Sequence, residues 1–166
     1  GVKKDLKPLL DAIKAKPQVN DGFMDQYFNH DKQWDFGIEV LKDMGYDFEG
    51  GRQDVSSHPF TINFSSTDVR VTTRVSEETF NEMLWSCIHE GGHALYEQGL
   101  PDSEYGLPSG EAVSLGIHES QSRLWENNVG RSLPFWEWKF ARLKEVFPTQ
   151  FEGVSAEDFF KAMNKV

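Results

Sequence analysis

Ser76-Glu-Glu-Thr-Phe-Asn-Glu-Met-Leu-Trp-Ser-Cys-Ile-His-Glu-Gly-Gly-His-Ala-Leu-Tyr-Glu-Gln-Gly99 is the stretch from which the rest of the chain is read. Phe80, Leu84, Ile88 and Leu95 recur along it at helical spacing, which predicts an amphipathic helix. Ser76 stands where a capping residue belongs, with Glu77 and Glu78 in the first turn. Gly99 and Pro101 close the helix after Gln98. Inside it, His89-Glu90-Gly91-Gly92-His93 forms an H-E-x-x-H pattern. Positions four apart on a helix lie about one turn, or roughly 6 Å, along its axis. Both imidazoles therefore project from one face and can grip one ion. Glu90 falls beside that ion, not on it, where it can take a proton from an activated water and pass it to a leaving amine. Zinc is the default ion, since it acidifies water and polarises a carbonyl. Cobalt or manganese fits the same ligands. Gly91 and Gly92 weaken a helix, and beside a metal they would let backbone or substrate approach closely. The bland reading, two surface histidines one turn apart, leaves those adjacent glycines without a purpose.

Catalytic zinc usually takes three protein groups and leaves one position open. The acids downstream are Glu111, Glu119 and Glu126. Glu119, in His118-Glu119-Ser120-Gln121, leaves room for a loop and two turns of a returning helix. Spacing therefore favours Glu119 and keeps Glu111 and His118 as alternatives. His118 points about 100° away from Glu119 on a helix. It could be a ligand, an oxyanion or substrate contact, or a donor behind the ligands. Glu126, two turns beyond Glu119 on the same face, reads as a partner to a ligand. Cys87 is the only cysteine and reads as a small buried apolar residue. It excludes an internal disulfide and fits a reducing, cytoplasmic setting.

Outward from the motif, most of the chain is predicted helical. Leu6, Leu9, Leu10 and Ile13 mark a first helix ended by Pro17. A second begins near Asp31, carries Trp34, Ile38, Leu41 and Met44, and stops at Gly45. Residues 46–57 read as a loop. His58–Phe64 and Val69–Val75, rich in Phe, Thr, Ile and Val, form a predicted hairpin turning at Ser65-Ser66-Thr67-Asp68. After a loop over 102–110, helices are expected at about 111–128, between Pro134 and Pro148, and from Ser155 with Asp158. The fold class is mainly α with one β-hairpin before the metal helix. No linker or repeat divides residues 1–166.

Bulk composition narrows the function classes. Over 166 residues, 38% are hydrophobic and 13% aromatic, too many large apolar groups for a disordered chain. The net charge of −10 repels phosphate backbones, and no basic cluster suggests a nucleic-acid or anionic-membrane surface. Lys3, Lys4 and Lys7 sit among acids on a solvated face. No apolar run reaches the ~20 residues of a membrane span, and no leader pattern is read. Composition thus speaks against a nucleic-acid or membrane partner, while the H-E-x-x-H motif points to a peptide substrate.

These residues also carry a resemblance. His89-Glu-Gly-Gly-His-Ala-Leu-Tyr-Glu-Gln-Gly-Leu-Pro101 resembles the zinc helix of the thermostable carboxypeptidase Taq family of metallocarboxypeptidases. Gly110-Glu-Ala-Val-Ser-Leu-Gly-Ile-His-Glu-Ser-Gln-Ser-Arg-Leu-Trp-Glu-Asn127 contains that family's H-E-S-Q motif. His58-Pro59-Phe60 matches its H-P-F, and Asp68-Val-Arg70-Val-Thr72 its D-x-R-x-T. The resemblance implies His89, His93 and Glu119 as zinc ligands, Glu90 as general base, and the two hairpin motifs beside the active site. His58, Arg70 and His118 are then candidate substrate contacts. Arg70 could pair with a substrate carboxylate, or with Asp68 as a brace for the hairpin. The implied fold is the core of a helical peptidase of the neurolysin and angiotensin-converting-enzyme type. Family members are much longer, and their I/N-R-x-x-A and G-x-x-Q-D-x-H-W motifs are not found here. The chain is thus expected to be a catalytic-core fragment of a longer enzyme, homodimeric when full length, which cleaves C-terminal peptide bonds. An endopeptidase with the same site, or a non-catalytic metal-binding helical module, are the rival readings.

Overall fold

The computed structural model describes residues 1–165, and its helices follow the predicted order. Helix α1 (Val2–Lys14) presents the Leu6, Leu9, Leu10 and Ile13 stripe, yet none of its residues is buried. Helix α2 (His30–Met44) begins at Asn29, whose side chain accepts from the Lys32 amide at 3.1 Å. It ends at Gly45, where φ is 98°, a left-handed conformation that a residue without Cβ adopts freely.

A small sheet follows. Strands β1 (Gln53–Val55), β2 (Thr61–Ser65) and β3 (Asp68–Thr73) are ordered β1-β3-β2. β2 and β3 are the predicted hairpin, antiparallel, with Thr61 opposite Val71 and Asn63 opposite Val69. β1 lies in the segment expected to be a loop. It runs parallel to β3, with Gln53 opposite Val71. Three residues carry no alternation to read, and parallel pairing depends on a partner distant in sequence. The backbone passes close there, since a Cβ on Gly51 would stand 2.0 Å from the Val69 carbonyl oxygen. Val69 and Val71, on the central strand, are buried against α3.

Helix α3 (Asn81–Gln98) starts at Asn81, later than a cap at Ser76 would place it. Residues 76–80 are occupied elsewhere. The Glu77 carboxylate accepts from the His30 amide and the Tyr27 hydroxyl, both at 3.1 Å, and so covers the start of α2. Ser76 Oγ accepts from the Glu78 amide in a local turn instead of capping a helix. Phe80 then plugs the aromatic core, its ring 5.4 Å from Phe28, 5.6 Å from Phe147 and 5.9 Å from Phe36 and Phe151. Burying each such ring contributes about 1.5–3 kcal/mol, so the entry to α3 is fixed by packing.

Helix α4 (Leu115–Arg123) starts at a Ser114 cap, later than expected, and continues as a π-helical turn over Leu124–Gly130. Glu111 is extended backbone ahead of it. Helices α5 (Leu133–Val146) and α6 (Ala156–Met163) complete the core. α6 opens on the Ser155–Asp158 pair as a reciprocal capping box. Buried Lys139 on α5 is held by Glu39 and Asp43 of α2, each at 2.5 Å. No helix among the described residues is long and apolar enough to cross a membrane.

The adjacent glycines of α3 are packing sites. A Cβ on Gly91 would stand 2.7 Å from Leu41 Cδ2 and 2.8 Å from Met44 Cε on α2. A Cβ on Gly92 would stand 2.7 Å from Ser122 Cα and 3.0 Å from the Gln121 carbonyl oxygen on α4. Side-chain tips yield, whereas backbone does not. Gly92→Ala is therefore expected to destabilise by about 1–3 kcal/mol through overpacking. At Gly91 the gain of about 1 kcal/mol in helix propensity offsets most of the crowding. Denaturant unfolding of the two variants measures the difference, and equal midpoints would contradict this account.

Candidate metal centre

Three carboxyl and imidazole side chains converge where α3 and α4 touch. His89 and His93 project from the same face of α3, and Glu119 reaches them from α4. Glu119 Oε2 lies 3.6 Å from His89 Nε2 and 3.3 Å from His93 Nε2. Ligand atoms about 2.0–2.2 Å from a tetrahedral ion stand roughly 3.3–3.6 Å from one another. The donor set and its spacing thus fit a small divalent cation. Among the described residues this is the one His, Cys, Asp or Glu group of three whose ligand atoms come this close together. Glu111 is not in it. It borders a separate cleft with Asn63 and Tyr105. Cys87 is buried below the site. Its Sγ accepts from Gln53 Nε2 at 3.2 Å, and burial pushes its thiol up to about 11, which makes it a poor ligand.

The far nitrogens of both histidines are engaged. His89 Nδ1 meets Glu126 Oε2 at 2.8 Å, so an Nδ1 proton is held there and Nε2 faces Glu119. Glu126 is itself bonded by Arg123 Nη1 at 3.0 Å and Arg131 Nη2 at 3.3 Å. Arg131 also stacks its guanidinium on Trp85, 4.1 Å from the ring centre. His93 Nδ1 meets His118 Nδ1 at 2.5 Å, and His118 Nε2 meets Glu97 Oε1 at 2.5 Å. Both ring nitrogens of His118 are therefore occupied.

Glu90 is buried beside this group. Its Oε2 accepts from Thr61 Oγ1 at 2.8 Å, and its carbonyl accepts from the same hydroxyl at 3.0 Å. Burial raises its pKa above the usual carboxylate range, although the Thr61 bond works the other way. A cleft of about 490 Å³ opens over Glu90, His93, His118 and Glu119, walled by Pro59, Phe60, Thr61 and Leu115. His58 borders the opposite flank with Trp85 and Glu126. Arg70 is committed to Asp68 by two bonds of 2.8 Å and lies over the Phe64 ring.

The two motif histidines titrate in opposite senses. His89 is raised above 6.5, chiefly by its bond to Glu126. His93 is lowered to about 4, by burial and then by the neighbouring His118 and His89. Burial tends to raise Glu119, but bonds from Arg123 and Ser122 and the nearby His89 outweigh it and keep the carboxylate ionised. Thr61, Asn63, Glu97, Arg123 and Arg131 were not singled out from the sequence. Glu97 and Arg123 left a usable signal there, because they follow His93 and Glu119 by one helical turn.

Comparison with known proteins agrees with this architecture. Residues 1–166 match the family described as Carboxypeptidase Taq (M32) metallopeptidase. Thermostable carboxypeptidase 1 of Thermus thermophilus is 49% identical over 166 residues, which cover 99% of this chain and 32% of that protein. Carboxypeptidase 1 of Bacillus subtilis is 38% identical over 165 residues, or 99% of this chain and 33% of that protein. The crystal structure of the M32 carboxypeptidase from Deinococcus radiodurans superposes with a TM-score of 0.93 at 47% identity, covering 97% of this chain and 32% of that one. The helical fold, with its candidate metal-ligand cluster, is that of the M32 metallopeptidases. The chain belongs to the carboxypeptidase Taq (M32) metallopeptidase family. It spans about a third of the length of the relatives it matches.

The His89–Glu126 bond makes a checkable claim about the metal-free protein. His89 has a raised folded-state pKa, so its contribution to stability is fully present below 6.5 and is lost as pH rises through the raised value. Glu126→Gln removes the anion that favours the imidazolium. The His89 pKa should then fall, read by NMR titration of the ring protons without metal. An unchanged titration would mean that Glu126 does not govern this ring.

Proposed function

We propose that this chain is the catalytic core of a zinc-dependent metallocarboxypeptidase, with His89, His93 and Glu119 as metal ligands. The observation that carries this reading is the 3.3 and 3.6 Å spacing of Glu119 Oε2 from two Nε2 atoms whose rings are both anchored through Nδ1. Family membership supports hydrolysis of peptide bonds, and the carboxypeptidases among the relatives support action at the C-terminus. Bound there, zinc would acidify a water and polarise the scissile carbonyl. Cobalt or manganese remains compatible with this nitrogen and oxygen set.

Glu90 is the general base in this reading. Thr61 holds Oε2, so Oε1 is the oxygen left to receive a proton from the attacking water. Its pKa, raised by burial, brings it closer to neutrality and makes the second transfer, to the departing amine, easier. A peptide lying along β2 would gain backbone hydrogen bonds at the free side of that edge strand. Phe60 and Leu115 would flank it. We place His58 at the rim on the far side of Glu90, and His118 under the floor of the cleft. Arg70 would contact a substrate carboxylate by exchanging Asp68 for it.

Three measurements test the proposal. Zinc loading followed by elemental analysis should give about one ion per chain, lost in Glu119→Ala. In the full-length protein, Glu90→Gln should retain zinc and lose about 10²–10⁴-fold in rate. Peptides with free C-termini should be cleaved and their amidated counterparts spared. Equal cleavage of both would favour an endopeptidase, and full activity in Glu90→Gln would refute the assignment of the base.

A further inference from the structure

Behind His93 runs a chain of polar side chains that ends on the sheet. His93 Nδ1 meets His118 Nδ1 at 2.5 Å, and His118 Nε2 meets Glu97 Oε1 at 2.5 Å. Glu97 Oε2 accepts from Asn63 Nδ2 at 2.8 Å. Glu97 is 5% exposed, so water hardly competes for its oxygens. The Tyr96 ring packs edge-on against His118 at 5.2 Å. We propose that Asn63, Glu97 and His118 form a positioning relay that fixes the proton of His93 on Nδ1 and so presents Nε2 to the metal. The proposal rests on His93 being a ligand.

Hydrogen-bond polarity argues for it. Asn63 Nδ2 is a donor only, so it meets a lone pair of Glu97. The other oxygen of that carboxylate is also an acceptor, so His118 Nε2 must carry a proton. A neutral His118 then has a bare Nδ1, and His93 must supply the proton between the two rings. That leaves His93 Nε2 with a free lone pair facing Glu119. With His118 neutral, the opposite polarity would set its bare Nε2 against a carboxylate oxygen at 2.5 Å, two acceptors in contact. The carboxylate at one end thus decides the tautomer at the other. His89 obtains the same result from Glu126 in one step. His93 obtains it through a second imidazole, which extends the support of the site from α3 to α4 and on to β2.

Partners of this kind typically change metal affinity by about 10–100-fold. The experiment compares zinc affinity, by competition with a chromophoric chelator, in the full chain and in His118→Ala, His118→Asn, Glu97→Gln and Glu119→Ala. His118→Ala should weaken zinc binding by about tenfold to hundredfold. In His118→Asn the amide oxygen takes the place of Nδ1 as acceptor, so affinity should largely return. Long-range proton–nitrogen NMR of the imidazoles should show His93 protonated at Nδ1 in the unmodified protein and a mixed tautomer in Glu97→Gln. Undiminished affinity in His118→Ala, with zinc lost from Glu119→Ala, would overturn the relay alone. Zinc retained in Glu119→Ala would overturn the ligand set beneath it. A lower metal-free melting temperature with unaltered affinity and tautomer would make the relay a matter of folding only and sink the proposal.

Discussion

The contact of α3 with α4 at Gly92 is the constraint on which the site depends. With a hydrogen where other residues carry Cβ, α3 comes within 2.7 Å, measured from that ideal Cβ, of the Ser122 backbone. Glu119 lies one turn before Ser122 and is brought level with the two imidazoles. Ser122 Oγ closes the arrangement by donating to the Glu119 carboxylate at 3.1 Å. A short side chain such as Glu reaches a shared point with two histidines only across a gap this narrow. The glycine is therefore a matter of helix spacing first and of chemistry second.

Charge explains a second part of the architecture. Glu90, Glu97, Glu119 and Glu126 all lie at this helix pair, three of them buried. The guanidiniums that meet this group are those of Arg123, on Glu119 and Glu126, and Arg131, on Glu126. Beyond these two, the bonds to the four acids come from hydroxyl, amide and imidazole donors among the described residues. A divalent cation between Glu119 and the two imidazoles would relieve the remaining imbalance. The opposite titration of His89 and His93 follows from the same arrangement, since the first ring rests on a carboxylate, whereas the second is lowered by burial and then by the neighbouring imidazoles.

Much of this was legible in the sequence, where physical signals are local. The H-E-x-x-H spacing, the Gly45 stop, the Ser155 box and the β2–β3 hairpin all declare themselves within a few residues, and each is present. Glu126 was also readable as standing behind the cluster, because helical periodicity carries it to the face of Glu119, and it bonds His89. What escaped depends on contacts between distant segments. β1 exists through pairing with β3, and α3 starts late because Glu77 and Phe80 are taken by α2 and the aromatic core. The glycine pair was read as allowing close approach of backbone or substrate; at Gly92 it is the α4 backbone that comes close, whereas Gly91 makes room for the Leu41 and Met44 side chains of α2. Asn63 and Thr61 are ordinary strand residues until the sheet is laid on α3.

Strand β2 shows what such a layout implies for sequence change. Its odd-numbered Thr61 and Asn63 face α3, holding Glu90 and Glu97, while Ile62 and Phe64 stand outward, each more than 40% exposed. Parity along a strand is all or nothing: losing one residue turns every later side chain to the opposite face. The ladder with β3 slips only between Asn63 and Ser65, after both inward residues have been delivered. A hairpin's register is set by its turn, so a length change at the tip would displace β3 against β2, and a one-residue slip of β2 itself would put isoleucine and phenylalanine where Thr61 and Asn63 now hold Glu90 and Glu97. Strand β2 is for this reason a frame whose register must be kept in count, much as a reading frame is.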